Sequence, residues 1–135
     1  MSETFDGTEN RQAKRVSVNF IVTYKPDGAL IAHMRIGDKL RIIALMVNLS
    51  SKGMAIATEY DIPADTVLSI KFTLVNLKSN RDDQVRSMEI IGEVRYNVVW
   101  KEMGHRLGIL FTNIADADKK AIDEFVELAQ EEKLK

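Results

Sequence analysis

Two short clusters stand out in this 135-residue chain by their residue types and spacing. The first is Arg11-Gln12-Ala13-Lys14-Arg15, which carries three positive charges and no negative one, directly after an acidic start. A guanidinium offers a fork of donors that fits a phosphate and a flat face that stacks on a base, so this segment suits a local anionic partner. The second is Asn48-x-Ser50-x-x-Gly53, a small polar stretch that interrupts an apolar run with an amide, a hydroxyl and a glycine. Catalytic chemistry has much less material. His33 falls in a candidate strand and His105 in a candidate turn, neither within a hydrolase or zinc-protease pattern, so each reads as an ordinary histidine. Asp82-Asp83 read as solvated, and Asp116 or Asp118 as the cap of a helix start. With no cysteine, disulfides, thiolate zinc sites and Cys nucleophiles are excluded, and the seven scattered glycines form no phosphate loop. No enzyme, metal or cofactor is expected.

The elements that position these clusters are mostly strands. From Arg15 onward Val16, Val18, Phe20, Val22 and Tyr24 alternate with Ser17, Asn19, Ile21, Thr23 and Lys25, the mark of a half-buried strand. Lys25-Pro26-Asp27-Gly28 has turn chemistry, Ala29 to Ile36 is a second extended candidate, and Gly37-Asp38 a tight connection to a buried third strand, Leu40 to Val47. Asn48 to Gly53 is then expected as a loop at the rim of a sheet. Met54 to Thr58 and Val67 to Leu77 follow as strands, Lys78 to Ser87 as a charged connection. Met88 to Lys101 and Arg106 to Ile114 complete the series, with Gly92 marking a bulge or bend and Trp100 in a packing role. Ile122, Phe125, Val126 and Ala129 change the period to that of an amphipathic helix over about 116–132. Six or seven short antiparallel strands and a terminal helix predict an all-β fold, a small closed barrel over about 16–114 with the helix docked on it. Residues 1–10 are expected to be a flexible segment and 11–135 a single domain.

Lys and Arg total 19 against 20 Asp and Glu, a net charge of −1 that provides no general field for DNA or RNA. The longest apolar run, Ile42 to Val47, is too short to cross a membrane, and the polar N-terminus has no secretory pattern, so a cytoplasmic protein without membrane insertion is expected.

Taken together, Arg11-x-x-x-Arg15 before the first strand, Asn48-x-Ser50-x-x-Gly53 after the third and Leu107-Gly108-Ile109-Leu110-Phe111 on the last resemble the PilZ domain family, bacterial receptors for the second messenger cyclic di-GMP. The resemblance covers about residues 10–128 and implies a small antiparallel barrel with a C-terminal helix. It further implies that Arg11 and Arg15 bind phosphate and guanine, that Asn48 contacts a guanine edge, that Ser50 adds a hydrogen bond and that Gly53 supplies backbone freedom in the turn. The expected function is a cyclic di-GMP sensor that changes conformation and regulates an unidentified downstream protein. The alternative is a nucleotide-independent adaptor of the same fold, although members of that kind usually lack the arginines that this chain keeps.

Overall fold

Period-two alternation turns into six strands in the structure of the protein, a computed structural model that describes residues 15–26, 41–76, 85–100 and 104–134. They are β1 (Val16–Pro26), β2 (Ile42–Leu49), β3 (Gly53–Thr58), β4 (Val67–Val75), β5 (Val85–Trp100) and β6 (Gly104–Asn113), followed by the helix α1 (Asp116–Leu134). All pairings are antiparallel, in the order β1-β2-β3-β6-β5-β4, and β4 closes back on β1. Closure pairs every strand on both sides and leaves no open edge. The expected strand at Ala29 to Ile36 and the connection at Gly37-Asp38 lie outside the described residues. Val85, Arg86 and Ser87 belong to β5 and not to a charged connection: Val85 pairs with Val75, and Ser87 shares a 3.1 Å hydroxyl contact with Thr73.

The inward side chains fill the barrel. Tyr24, Met46, Ile56, Leu68, Ile70, Ile90 and Leu107 have essentially no exposed surface. The inward series of β1 follows the alternation of its sequence, with Val16, Val22 and Tyr24 fully buried. On β2 and β5 the alternation slips. Between Met46 and Asn48, β2 spends two steps against one on β3, so Val47 is an extra residue. Between Val94 and Tyr96, β5 does the same against β6, with Arg95 as the extra residue. A further shift stands at Gly92, where a bulge or bend was expected. A bulge re-aims the side chains beyond it. Asn48 and Tyr96 would face inward in phase with Met46 and Val94, and instead face outward.

The helix closes over the barrel through Ile122 and Val126, both buried, while the Phe125 ring meets Phe20 at 5.7 Å between centroids. Asp118, one of the two candidate caps, receives the Arg86 Nε–H at 2.7 Å and ties the first turn of α1 to the start of β5.

Inside the barrel the Tyr24 hydroxyl and Thr58 Oγ1 lie 2.7 Å apart. Burial pushes the phenol up to about 12, with the Thr58 hydrogen bond opposing and Tyr60 adding to the rise. The unfolded phenol loses its proton near pH 10, and the folded one holds it to about 12, so this contribution to stability is present below pH ~10 and is lost as pH rises toward 12. Tyr24→Phe should cost about 1 kcal/mol at neutral pH, since it leaves the Thr58 hydroxyl unpaired. Its deficit against the parent protein should shrink or reverse at pH ~11, as read from urea unfolding midpoints. A second measurement concerns the seam between β3 and β6. A Cβ at Gly53 would lie 2.1 Å from the Ile109 carbonyl oxygen, so Gly53→Ala must part the two strands, and the same urea titration should show a loss of about 1–3 kcal/mol or more.

Candidate functional site

The turn from β2 to β3 is built by the second of the two clusters. Asn48 lies within β2 and not in a loop, because the chain continues its pairing through Leu49 with Met54. The bulge at Val47 interrupts the ladder, and Asn48 Oδ1 accepts the Ala55 N–H at 3.1 Å. That bond fixes the amide orientation and leaves Nδ2, the donor end, without a partner among the described residues. Ser50 is buried, and its Oγ accepts the N–H groups of Lys52 and Gly53 at 3.2 Å each, while its own N–H donates to the Gly53 carbonyl at 2.9 Å. The hydroxyl therefore shapes the turn from inside. Gly53, expected to provide conformational freedom, has no positive φ; a glycine is required there by the close approach of the Ile109 carbonyl described above.

The first cluster meets this turn through β1. Val16 pairs with Leu49 and Ser17 with Asn48, so Arg15, which is exposed, enters the barrel at the end where β2 turns into β3. Its carbonyl accepts the Gln130 side-chain amide at 3.4 Å, which places the last part of α1 beside it. Arg11 lies outside the described residues. Pairing continues beyond Asn48: Asn48 stands against Ala55, Ala55 against Gly108, and Gly108 against Tyr96. One row thus crosses five strands, Ser17, Asn48, Ala55, Gly108 and Tyr96, all on the outer face. Tyr96 was not legible as a member of this face, because unbroken alternation assigns it to the core.

Other polar groups are accounted for within the barrel wall. His105 lies in β6 and not in a turn; its Nδ1 is 2.8 Å from Asn97 Oδ1 and 3.8 Å from Asp61 Oδ1, and Asn97 Nδ2 donates to Asp61 at 2.7 Å. Arg41 donates to the carbonyls of Ser69 at 2.6 Å and Thr23 at 3.3 Å, and its burial lowers its proton affinity, opposed by the nearby Glu89. Trp100 ends β5 with the Arg106 guanidinium 5.5 Å from its ring centroid. Among the described residues no group of three or more His, Cys, Asp or Glu could hold a metal ion. Two grooves of about 570 and 560 Å³ follow β1, and neither includes Arg15, Asn48, Ser50 or Gly53. The candidate residues form a face on the barrel wall outside both.

Known proteins share this architecture. The fold is similar to that of the Bacillus subtilis inhibitor of motility MotI/DgrA, with a TM-score of 0.73 and 19% identity over 93% of this chain and 53% of that one. The chain therefore spans about half the length of that relative. A PilZ domain of YcgR from Escherichia coli, solved with c-di-GMP, aligns with a TM-score of 0.54 and 15% identity over 92% of this chain and 96% of that one. A tetrameric PilZ domain protein from Xanthomonas campestris aligns with a TM-score of 0.60 and 10% identity over 92% of both chains. At these identities the likeness is one of fold. No curated protein matches the chain in sequence. The family model of the PilZ domain, however, matches residues 9–128, both clusters and all six strands included, and the chain belongs to the PilZ domain family.

Proposed function

We propose that the protein is a receptor for cyclic di-GMP that changes conformation on binding and so regulates a downstream protein. The observation that carries this reading is the register of β1 on β2, which sets Arg15 at the same end of the barrel as Asn48 although 33 positions separate them. Cyclic di-GMP presents two phosphates and two guanines. Arg15, with Arg11 upstream, supplies charge-assisted forks for phosphate oxygens or for guanine O6 and N7. The Asn48 Nδ2 donor suits the same guanine acceptors. Ser50 and Gly53 act indirectly, by holding the turn and the β3–β6 seam in the shape that presents Asn48. The YcgR domain solved with c-di-GMP shares the fold, which supports the same ligand class here. On this reading the protein works in the cytoplasm without catalysis, metal or cofactor. Among the described residues no helix is long and apolar enough to cross a membrane.

A second reading, a protein-interaction adaptor that works without nucleotide, draws on the end of β5, where Val98 is 49% and Val99 82% exposed. Calorimetric titration with cyclic di-GMP, with GTP and cyclic di-AMP as controls, separates the two. The receptor reading expects selective binding by the parent protein. Arg15→Ala should weaken it about ten- to hundredfold, the equivalent of about 1.5–3 kcal/mol for a charged hydrogen-bonding group, without lowering the unfolding midpoint. A folded parent protein that ignores the dinucleotide would leave the adaptor reading in place.

A further inference from the structure

Within the barrel wall every strand has two neighbours, but β5 outruns the wall. Its pairing with β4 ends at Glu93, opposite Val67, and the next residue, Val94, gives its N–H to the Thr66 carbonyl and accepts the Asp65 N–H. From Arg95 to Trp100 the strand keeps β6 on one side, and among the described residues no strand lies on the other. The barrel therefore carries a short hairpin arm with an open edge.

The backbone groups on that edge follow from the ladder. Phe111 donates its N–H to the Lys52 carbonyl, on the β3 side of β6, so by alternation Ile109, Leu107 and His105 also turn toward β3, while Gly108, Arg106 and Gly104 turn toward β5. Tyr96, Val98 and Trp100 stand opposite those three and face them. Asn97 and Val99, the residues between, point their N–H and C=O groups to the open side. The valines there are uncovered, with Val98 49% exposed on the outer face and Val99 82% on the opposite one. Two adjacent β-branched residues on an open edge form a template for another chain, which sheet proteins otherwise avoid presenting.

Charge selects the occupant. Arg106 stands opposite Val98, and its guanidinium lies 5.5 Å from the Trp100 ring centroid, with no carboxylate partner among the described residues. Arg95, by contrast, is matched by Glu93 at 2.8 Å. A strand added to the edge lies two strand spacings, roughly 10 Å, from the strand of Arg106. Arginine and glutamate side chains are long enough to meet over the strand between, beside Trp100. A second copy of the arm would instead turn two Arg106 guanidiniums toward each other. The chain's own segment 27–40 has His33 and Arg35 and no carboxylate in its apolar part, Ala29 to Ile36. Neither supplies the missing charge.

We infer that the open edge of β5 takes up an extended segment of a partner protein as an added strand, with apolar side chains against Val98 and Val99 and a glutamate or aspartate toward Arg106. That this partner is the regulated protein rests on the receptor reading given above; the docking itself does not.

The test begins with the free full chain. In hydrogen exchange followed by NMR, the Val99 amide should exchange rapidly and the Val98 amide, which faces β6, slowly. A protected Val99 amide in the free chain, covered by residues 27–40 or, with protection that grows with concentration, by a second copy, overturns the inference. Random peptides displayed on phage and selected on the full chain are the probe for the partner. Selected peptides should combine β-branched or aromatic residues with an acidic one and, as synthetic peptides, protect the Asn97 and Val99 amides. Val99→Pro removes the edge donor without touching the β6 ladder, and Arg106→Glu reverses the charge; each should weaken the peptides at least about tenfold. Val99→Lys, the kind of residue that guards natural edges, is the second variant should the proline disturb the arm. A selection that recovers no peptide, or peptides that shift amides elsewhere or ignore both Val99→Lys and Arg106→Glu, overturn the docking edge. Calorimetry with cyclic di-GMP on the same proteins keeps the two readings apart. Equal dinucleotide binding by the parent and Val99→Lys proteins leaves the receptor reading standing whatever the peptides do, and a folded parent protein that does not bind it overturns that reading alone.

Discussion

Two extra residues decide what this barrel presents to its surroundings. A strand that alternates without interruption sends every second side chain into the core, and on β2 and β5 that rule would bury Asn48 and Tyr96. Val47 and Arg95 each break the phase once, and the outer face from Asn48 to Tyr96 follows from those two breaks, while a separate shift on β1 between Ser17 and Phe20 brings Ser17 opposite Asn48. The energetics favour the arrangement. A buried carboxamide without partners costs about 1–3 kcal/mol, and overfilling a closed barrel costs a similar amount. An interrupted ladder costs less when its loose donor is taken up, and Asn48 Oδ1 accepts the Ala55 N–H that lies next to the break. The residue turned outward therefore takes up the neighbouring strand's donor beside the break that turned it.

Closure explains why so much of the fold could be read directly. With no open edge, every strand has one face in a single shared core, and the residues that face it must be apolar. Val16, Val22 and Tyr24 show this on β1, as do Leu68, Ile70, Phe72 and Leu74 on β4. The helix was equally visible, because the Ile122 and Val126 stripe has a different period. The misreadings occur where one strand's outer face looks like a loop. Val85-Arg86-Ser87 carries a charge and a hydroxyl that suggest a connection, yet Arg86 is needed for Asp118 and Ser87 for Thr73. His105 follows Gly104, whose φ of +92° marks the turn, and the strand begins at that glycine rather than after it.

The candidate site was legible in its residue types and less so in their roles. Asn48, Ser50 and Gly53 stand out from an apolar run by composition alone. Their division of labour depends on depth, which composition does not carry: Ser50 is buried and bonds the turn, Gly53 admits a neighbouring carbonyl, and Asn48 alone of the three keeps a donor without a partner among the described residues. Tyr96 was invisible for a different reason. Its orientation depends on a one-residue slip at Arg95, and no glycine or proline stands there to announce it, unlike the slip beside Gly92. A bulge without a glycine is a property of the pairing between two strands, and a single strand's sequence does not contain it.

The helix adds an asymmetry to this face. At its first turn α1 is fastened by the Arg86–Asp118 pair, a charge-assisted contact of 2.7 Å with Asp118 almost fully covered, and in its middle by Ile122, Val126 and the Phe20–Phe125 contact. Toward its other end Ala129 still packs against the core, and Gln130 donates to the Arg15 carbonyl at 3.4 Å, exposed to water. A charged, mostly buried bond is worth about 1.5–3 kcal/mol and a long, exposed neutral one less than about 1 kcal/mol, so of these two hydrogen bonds the one at the first turn contributes more. The weaker bond touches the residue that leads into the arginine cluster. The helix is thus joined by its weaker hydrogen bond to the main chain of Arg15, at the end of the barrel where β2 turns into β3.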